Sequence, residues 1–103
     1  MSGQKVVDGT LEWIGYEQIN DLSSATTLTV PTRAGYPSAN LALIQALDQN
    51  VRWRPDGTST APTASVGIQL EAGKDIWYTG DLTTLKFIEE VSGAELNISY
   101  YTA

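Results

Sequence analysis

Short runs in which apolar and polar residues alternate, separated by glycines, recur along this chain and constrain its fold more than any other feature. Val66, Ile68 and Leu70 alternate with Gly67 and Gln69, and Leu96, Ile98 and Tyr100 alternate with Asn97, Ser99 and Tyr101. A period of two sets one group of side chains on a buried face, which is the signature of a strand. By the same rule Val51 and Trp53 point inward with Arg52 and Arg54 outward. Leu85 and Phe87 point inward with Lys86 outward, and Ile88 carries apolar character to the second face. Residues 27–30 are β-branched and end at Pro31, which suits a strand terminus. Residues 16–19 and 76–79 are shorter candidates.

The punctuation agrees. Asp8-Gly9, Asp56-Gly57, Ala72-Gly73, Thr79-Gly80 and Ser92-Gly93 fall between the apolar runs, where turns requiring positive φ belong. Turn signals at intervals of about 8–12 residues mark a β-sandwich or barrel. The expected fold is all-β, an antiparallel β-sandwich of about seven to eight strands, with a jelly roll among its possible forms. A length of 103 residues suits one domain. Residues 12–103 form that single domain, and residues 1–11, with few large apolar groups, read as an N-terminal arm. Residues 34–40 are a loop, and residues 55–64 a longer one, rich in Pro, Ser and Thr.

Residues 40–48 admit two assignments. They are good helix formers, with Ser38 available as a cap and Leu43, Ala46 and Leu47 on one face. A strand buried on both faces also fits, and it is favoured because Val51-Arg-Trp-Arg follows so closely that a hairpin or a continuing strand is simpler. Between residues 81 and 90 a short helical turn before Leu85 is the second ambiguity.

Composition then narrows function. With no histidine and no cysteine, Ser-His-Asp and Cys-His catalysis, zinc fingers and disulfides are excluded. Twelve acidic residues against six basic give a formal charge of −6, which argues against phosphate backbones and anionic membranes as partners. The first residues contain no apolar h-region, so no signal peptide is expected. Glu89 and Glu90 are adjacent and so cannot face one another as a catalytic dyad. Asp48, Asp56, Asp75 and Asp81 lie near turns, where Asp is common, and form no Asp-x-Asp-x-Asp run for calcium. Neither a phosphate-binding glycine loop nor a nucleophile elbow occurs. No catalytic residue, cofactor or metal is expected, and the chain reads as non-enzymatic.

Aromatic and cationic groups carry the remaining signal. Three Trp and five Tyr are available to anchor an interface. Arg52 and Arg54 share an outward face, suited either to acidic groups of a partner or to intramolecular salt bridges. Trp53 between them is assigned to the core. Trp77 and Tyr78 point opposite ways, so one lies outside the core, and Tyr101 does so if Tyr100 is buried. With Trp13 beside the arm, the partner-binding candidates are Trp13, Arg52, Arg54, Trp77 and Tyr101.

The stretch VRWRPDGT at residues 51–58, followed by PTA at 62–64, Gly67, Leu70, Ala72-Gly73, LKFI at 85–88 and SYY at 99–101, resembles small β-sandwich virion proteins of tailed bacteriophages and prophages. The likeness covers residues 51–101, about half the chain, and consists of turn glycines and core alternation. It implies a structural protein of the virion, made in the bacterial host cytoplasm. The favoured role is a capsid decoration or cement protein that binds the assembled head shell. Its partners would be the major capsid protein or other virion proteins, and it would act as a homo-oligomer, a trimer being favoured. The alternatives are a head–tail, tail or fibre-tip component contacting the host surface, or a carbohydrate-binding module.

Overall fold

A computed structural model describes residues 11–56 and 61–103. They contain strands β1 (Glu12–Ile19), β2 (Thr26–Thr27), β3 (Leu41–Leu47), β4 (Val51–Arg54), β5 (Ile68–Leu70), β6 (Asp75–Thr79), β7 (Lys86–Glu89) and β8 (Glu95–Thr102). The strands form two antiparallel sheets, sheet A in the order β1-β8-β3-β6 and sheet B in the order β2-β7-β4-β5. The pairings nest, β1 with β8, β2 with β7, β3 with β6 and β4 with β5. A chain bent once between β4 and β5 into a long two-stranded ribbon has these pairings. Rolling the ribbon up adds the contacts of β8 with β3 and of β7 with β4. The expected all-β sandwich is therefore what forms, with the strand order of a jelly roll.

Alternation decides which face of each strand is buried. Ala42, Ile44 and Ala46 of β3 and Leu96, Ile98 and Tyr100 of β8 line the inner side of sheet A, all without solvent exposure. Val51, Trp53, Leu70 and Phe87 line sheet B, and Leu22, Leu28, Leu82, Leu85 and Ala94 close the core from the connections. Trp53 stacks on Phe87 with centroids 6.0 Å apart and meets Tyr78 of the opposite sheet edge-on at 5.9 Å. Gly73, Gly80 and Gly93 have the positive φ that their turns demand.

A polar linkage is built into this core. The hydroxyl of buried Tyr100 donates to Oε1 of Glu17 at 2.6 Å, and the same carboxylate accepts from the backbone N–H of Thr29 at 3.1 Å. Burial, reinforced by the Glu17 carboxylate, pushes the Tyr100 phenol well above its ordinary value. The proton is held in the folded state while the unfolded chain releases it near pH ~10. The contribution to stability is therefore full below that pH and declines as pH rises above it. The urea midpoint should fall between about pH 9 and pH 11, and Tyr100→Phe should make that fall shallower. An unchanged pH profile in the variant would refute the linkage.

Several sequence expectations need adjustment. Residues 40–48 contain a strand, but it is fully buried on one face only, because Leu41, Leu43, Gln45 and Leu47 lie half-buried on the other. β3 and β4 form neither a hairpin nor a continuing strand. They lie in different sheets, joined by a corner at which Asp48 adopts a left-handed φ of 71°. Residues 27–30 contribute only Thr27 to a strand, although Leu28 is buried. Of the alternating trio at 66–70, Leu70 alone is buried, since Val66 and Ile68 flank the short edge strand β5 or begin it. The short helical turn considered before Leu85 does form, as a 3-10 turn, Leu82–Thr84, capped by the Asp81 carboxylate, which accepts from the Thr83 N–H. The arm at residues 1–10, the Asp8-Gly9 turn and residues 57–60 of the long loop lie outside the described residues.

Candidate functional site on the outer face of sheet A

The outer face of sheet A is assembled in rows by strand register. Trp13, Tyr101, Leu41 and Thr79 form the first row, reading from β1 through β8 and β3 to β6. Tyr16, Ser99, Leu43 and Trp77 form the second, and Gln18, Asn97, Gln45 and Asp75 the third. Strict alternation would put Trp13 and Tyr16 on opposite faces, because they are three residues apart. A bulge resolves this. Between Trp13 and Gly15 the register with β8 shifts, Ile14 and Gly15 are both buried, and both aromatic side chains emerge on the solvent side.

One end of this face is aromatic. Trp13 is 49% exposed and Tyr16 57%, large values for residues of their size. Trp77 and Tyr101 lie side by side, centroids 5.5 Å apart with planes tilted by 47°. Beyond β1, Arg33 lies 4.0 Å from the ring centroid of Tyr36 and 6.0 Å from that of Trp13, and its Nη1 donates to the Trp13 carbonyl at 2.8 Å. The other end is a ladder of amides. Asn97 Oδ1 accepts from the Tyr16 hydroxyl and from Gln18 Nε2 at 3.0 Å, and Asn97 Nδ2 donates to Gln45 Oε1 at 3.3 Å. Between the two ends lies an open depression of about 130 Å³ lined by Tyr16, Leu43, Gln45, Asp75, Asn97 and Ser99.

Trp13, Trp77 and Tyr101 are thus brought onto one face, while Arg52 and Arg54 lie on the outer side of sheet B, away from them. Both arginines have internal partners. Arg52 Nε donates to Glu90 at 2.6 Å and its Nη1 to the Gly67 carbonyl at 3.1 Å, while Arg54 forms a two-point pair with Asp56. Glu90 also accepts from Gln69 Nε2 at 2.8 Å, so the cluster ties β4, β5 and the end of β7 together. The hydrogen bond from Gln69, then that from Arg52, holds the Glu90 carboxyl below its usual range, and Arg54 does the same for Asp56. Folded-state values that are lowered give stability that is present above about pH 5 and lost on acidification. Arg52→Glu should therefore lower Tm at pH 7 more than Arg54→Glu does, and the deficit should shrink near pH ~3, where carboxylates are protonated. Thermal melts at the two values check this; equal melting of Arg52→Glu and the parent would show that the cluster contributes nothing.

Glu89 and Glu90 do not converge, and among the described residues no three acidic side chains are grouped as metal ligands. Tyr16, Gln18, Gln45 and Asn97 are the face residues that sequence reasoning missed. Gly15 in the middle of a strand was the available signal for the bulge that turns Tyr16 outward. No protein-family model, curated protein or solved structure matches the chain.

Proposed function

We propose that the chain is a non-enzymatic structural protein of a tailed-phage virion, acting as a capsid decoration or cement protein on the assembled head shell. The likeness of residues 51–101 to small virion sandwiches motivates the reading. The observation that carries it is the edge of sheet A. Among the described residues β1 ends the sheet, with no strand of the sheet on its outer side, and Trp13, Arg33 and Tyr36 form an exposed aromatic and cationic cluster beside it. An edge of this kind is a template for pairing with another chain, and Trp, Tyr and Arg are the side chains that dominate docking energetics. Binding to the assembled shell, and not to isolated subunits, stabilises the shell by mass action. Repeated copies, favoured as trimers, would then cover the head.

The test is negative-stain imaging of particles that carry the protein with a bulky tag. Label distributed over the head in many copies is the expected result. Label at one vertex or on the tail would overturn cementing in favour of a head–tail or fibre-tip component. Particles without label would refute the virion reading altogether.

A further inference from the structure

We infer that the depression on the outer face of sheet A is a binding site for a neutral sugar, with Tyr16 in its wall, Trp77 on the neighbouring edge strand as a stacking surface beside it, and the amide row reading its hydroxyls. The inference is independent of the virion reading and concerns a different part of the face from the Trp13 edge.

The first observation is the ordering of the polar groups. Asn97 is held on three sides by Tyr16, Gln18 and Gln45, so its neighbours are oriented before any ligand arrives. Gln45 uses its Oε1 in this ladder, which leaves its Nε2 protons to donate. Asp75 stands directly opposite Gln45 on β6, exposed, with two acceptor oxygens. A donor amide and an acceptor carboxylate side by side match a pair of adjacent hydroxyls, each of which both donates and accepts.

The second is the apolar part. Leu43 and Ser99 occupy the two central strands of the second row, and Tyr16 and Trp77 stand on its two outer strands. Four strands at about 4.8 Å spacing place those aromatic positions roughly 14 Å apart, so a single sugar ring over Leu43 and Ser99 stacks on one of them and a longer oligosaccharide reaches both. Trp77 is 38% exposed, and its ring is steadied against Tyr101, so a flat apolar surface is offered to solvent. Sugars present C–H faces that cover such a surface while their hydroxyls stay hydrogen-bonded.

The third is charge. No Lys or Arg occurs in β1, β3, β6 or β8, and the charged side chains on the outer face of these strands are the carboxylates Asp75 and Glu95. At the depression, where Asp75 is the charged lining residue, phosphorylated, sulfated or carboxylated ligands are disfavoured, the Arg33 guanidinium lying at the Trp13 end of the face. A second copy of the same face is disfavoured as well, because it would bring like carboxylates together. A neutral, hydroxyl-rich ligand is what remains.

The experiment is a fluorescence titration of the purified protein with neutral oligosaccharides of glucose, mannose, galactose and N-acetylglucosamine, and with polygalacturonate as the anionic control. Saturable change with at least one neutral sugar and none with polygalacturonate is expected, with affinity about tenfold weaker in Trp77→Ala. Trp77 is also a reporter, so calorimetry measures the variants, and Gln45→Ala, an outer-face change, provides a second test that should weaken binding similarly. Arg54→Ala, on the other sheet, should bind as the parent does. Absence of saturable binding across the neutral panel, or binding unaffected by both face substitutions, would overturn the site. Sedimentation showing a dimer dispersed by Trp77→Ala would overturn it in favour of self-association. None of these results bears on whether tagged particles are decorated, so the two readings fail separately.

Discussion

Phe87→Ala is expected to remove about 3–5 kcal/mol of folding stability, the range for truncating a buried aromatic ring. Phe87 has no solvent exposure and lies on β7, a central strand of sheet B. Its ring stacks on Trp53, which in turn meets Tyr78 from sheet A, so three rings connect the two layers. Removing the first of them leaves a cavity and frees the indole of Trp53. Domains of this size are stable by only about 5–15 kcal/mol in total, so the variant should unfold at a far lower urea concentration. Phe87→Leu, which fills more of the volume, should lose clearly less. A loss below about 1 kcal/mol for the alanine variant would mean that the rings do not join the sheets.

The second large effect is expected from adding a single methyl group. A Cβ at Gly15 would lie 2.7 Å from Cγ and 2.9 Å from Cβ of Pro31, closer than carbon atoms approach without displacement. The proline ring cannot rotate aside, so β1 or the loop carrying Pro31 must move. Gly15→Ala should cost about 1–3 kcal/mol by overpacking. Because the clash is with one residue, Gly15→Ala combined with Pro31→Gly, which removes both contacting atoms, should recover most of the loss, a coupling that urea denaturation of the four proteins measures. Simple additivity of the two losses would show that strain lies elsewhere. The aromatic display is coupled to this position, since the bulge at Gly15 is what sets Trp13 and Tyr16 on the same side.

The inward sets of β4, β7 and β8 were legible in the sequence because each alternates and one face of each is buried; that of β3 was not, because its run Leu41–Ile44 is apolar on both faces. Trp53 in the core, Tyr100 buried with Tyr101 outside, and the opposite facing of Trp77 and Tyr78 all follow from that period, whereas which of the last two is the more exposed does not. Sheet membership was not legible. The step from β3 to β4 takes only residues 48–50, and a local pattern cannot distinguish a hairpin from a corner that changes sheets. The left-handed Asp48 was the physical device, and Asp adopts that conformation far less readily than Gly, so nothing in the residue type announced it. The outer face of sheet A was half legible. Aromatics were singled out by type, but Asn97, Gln45 and Gln18 are ordinary strand residues whose alignment depends on register across three strands. The arginines showed the reverse limit, because their shared face was readable and their partners Glu90 and Asp56 were not assigned in advance.

The place of β8 has a consequence for how the molecule comes into being. β8 follows the other seven described strands in sequence, yet it lies inside sheet A between β1 and β3, with Glu12 facing Thr102. Neither neighbour pairs with the other, so β1 has no hydrogen-bonding partner in its sheet until residues 95–102 have left the ribosome. Sheet B, whose central strands β4 and β7 precede β8, can close before β1 is joined to β3. The contacts that complete sheet A link β1 to β8 across all the strands between them, the kind of long-range pairing that slows folding. A nascent chain stalled before β8 would therefore leave Ile14 of β1 unjoined to Ala42 and Ile44 of β3, and completion of the sheet depends on the arrival of β8.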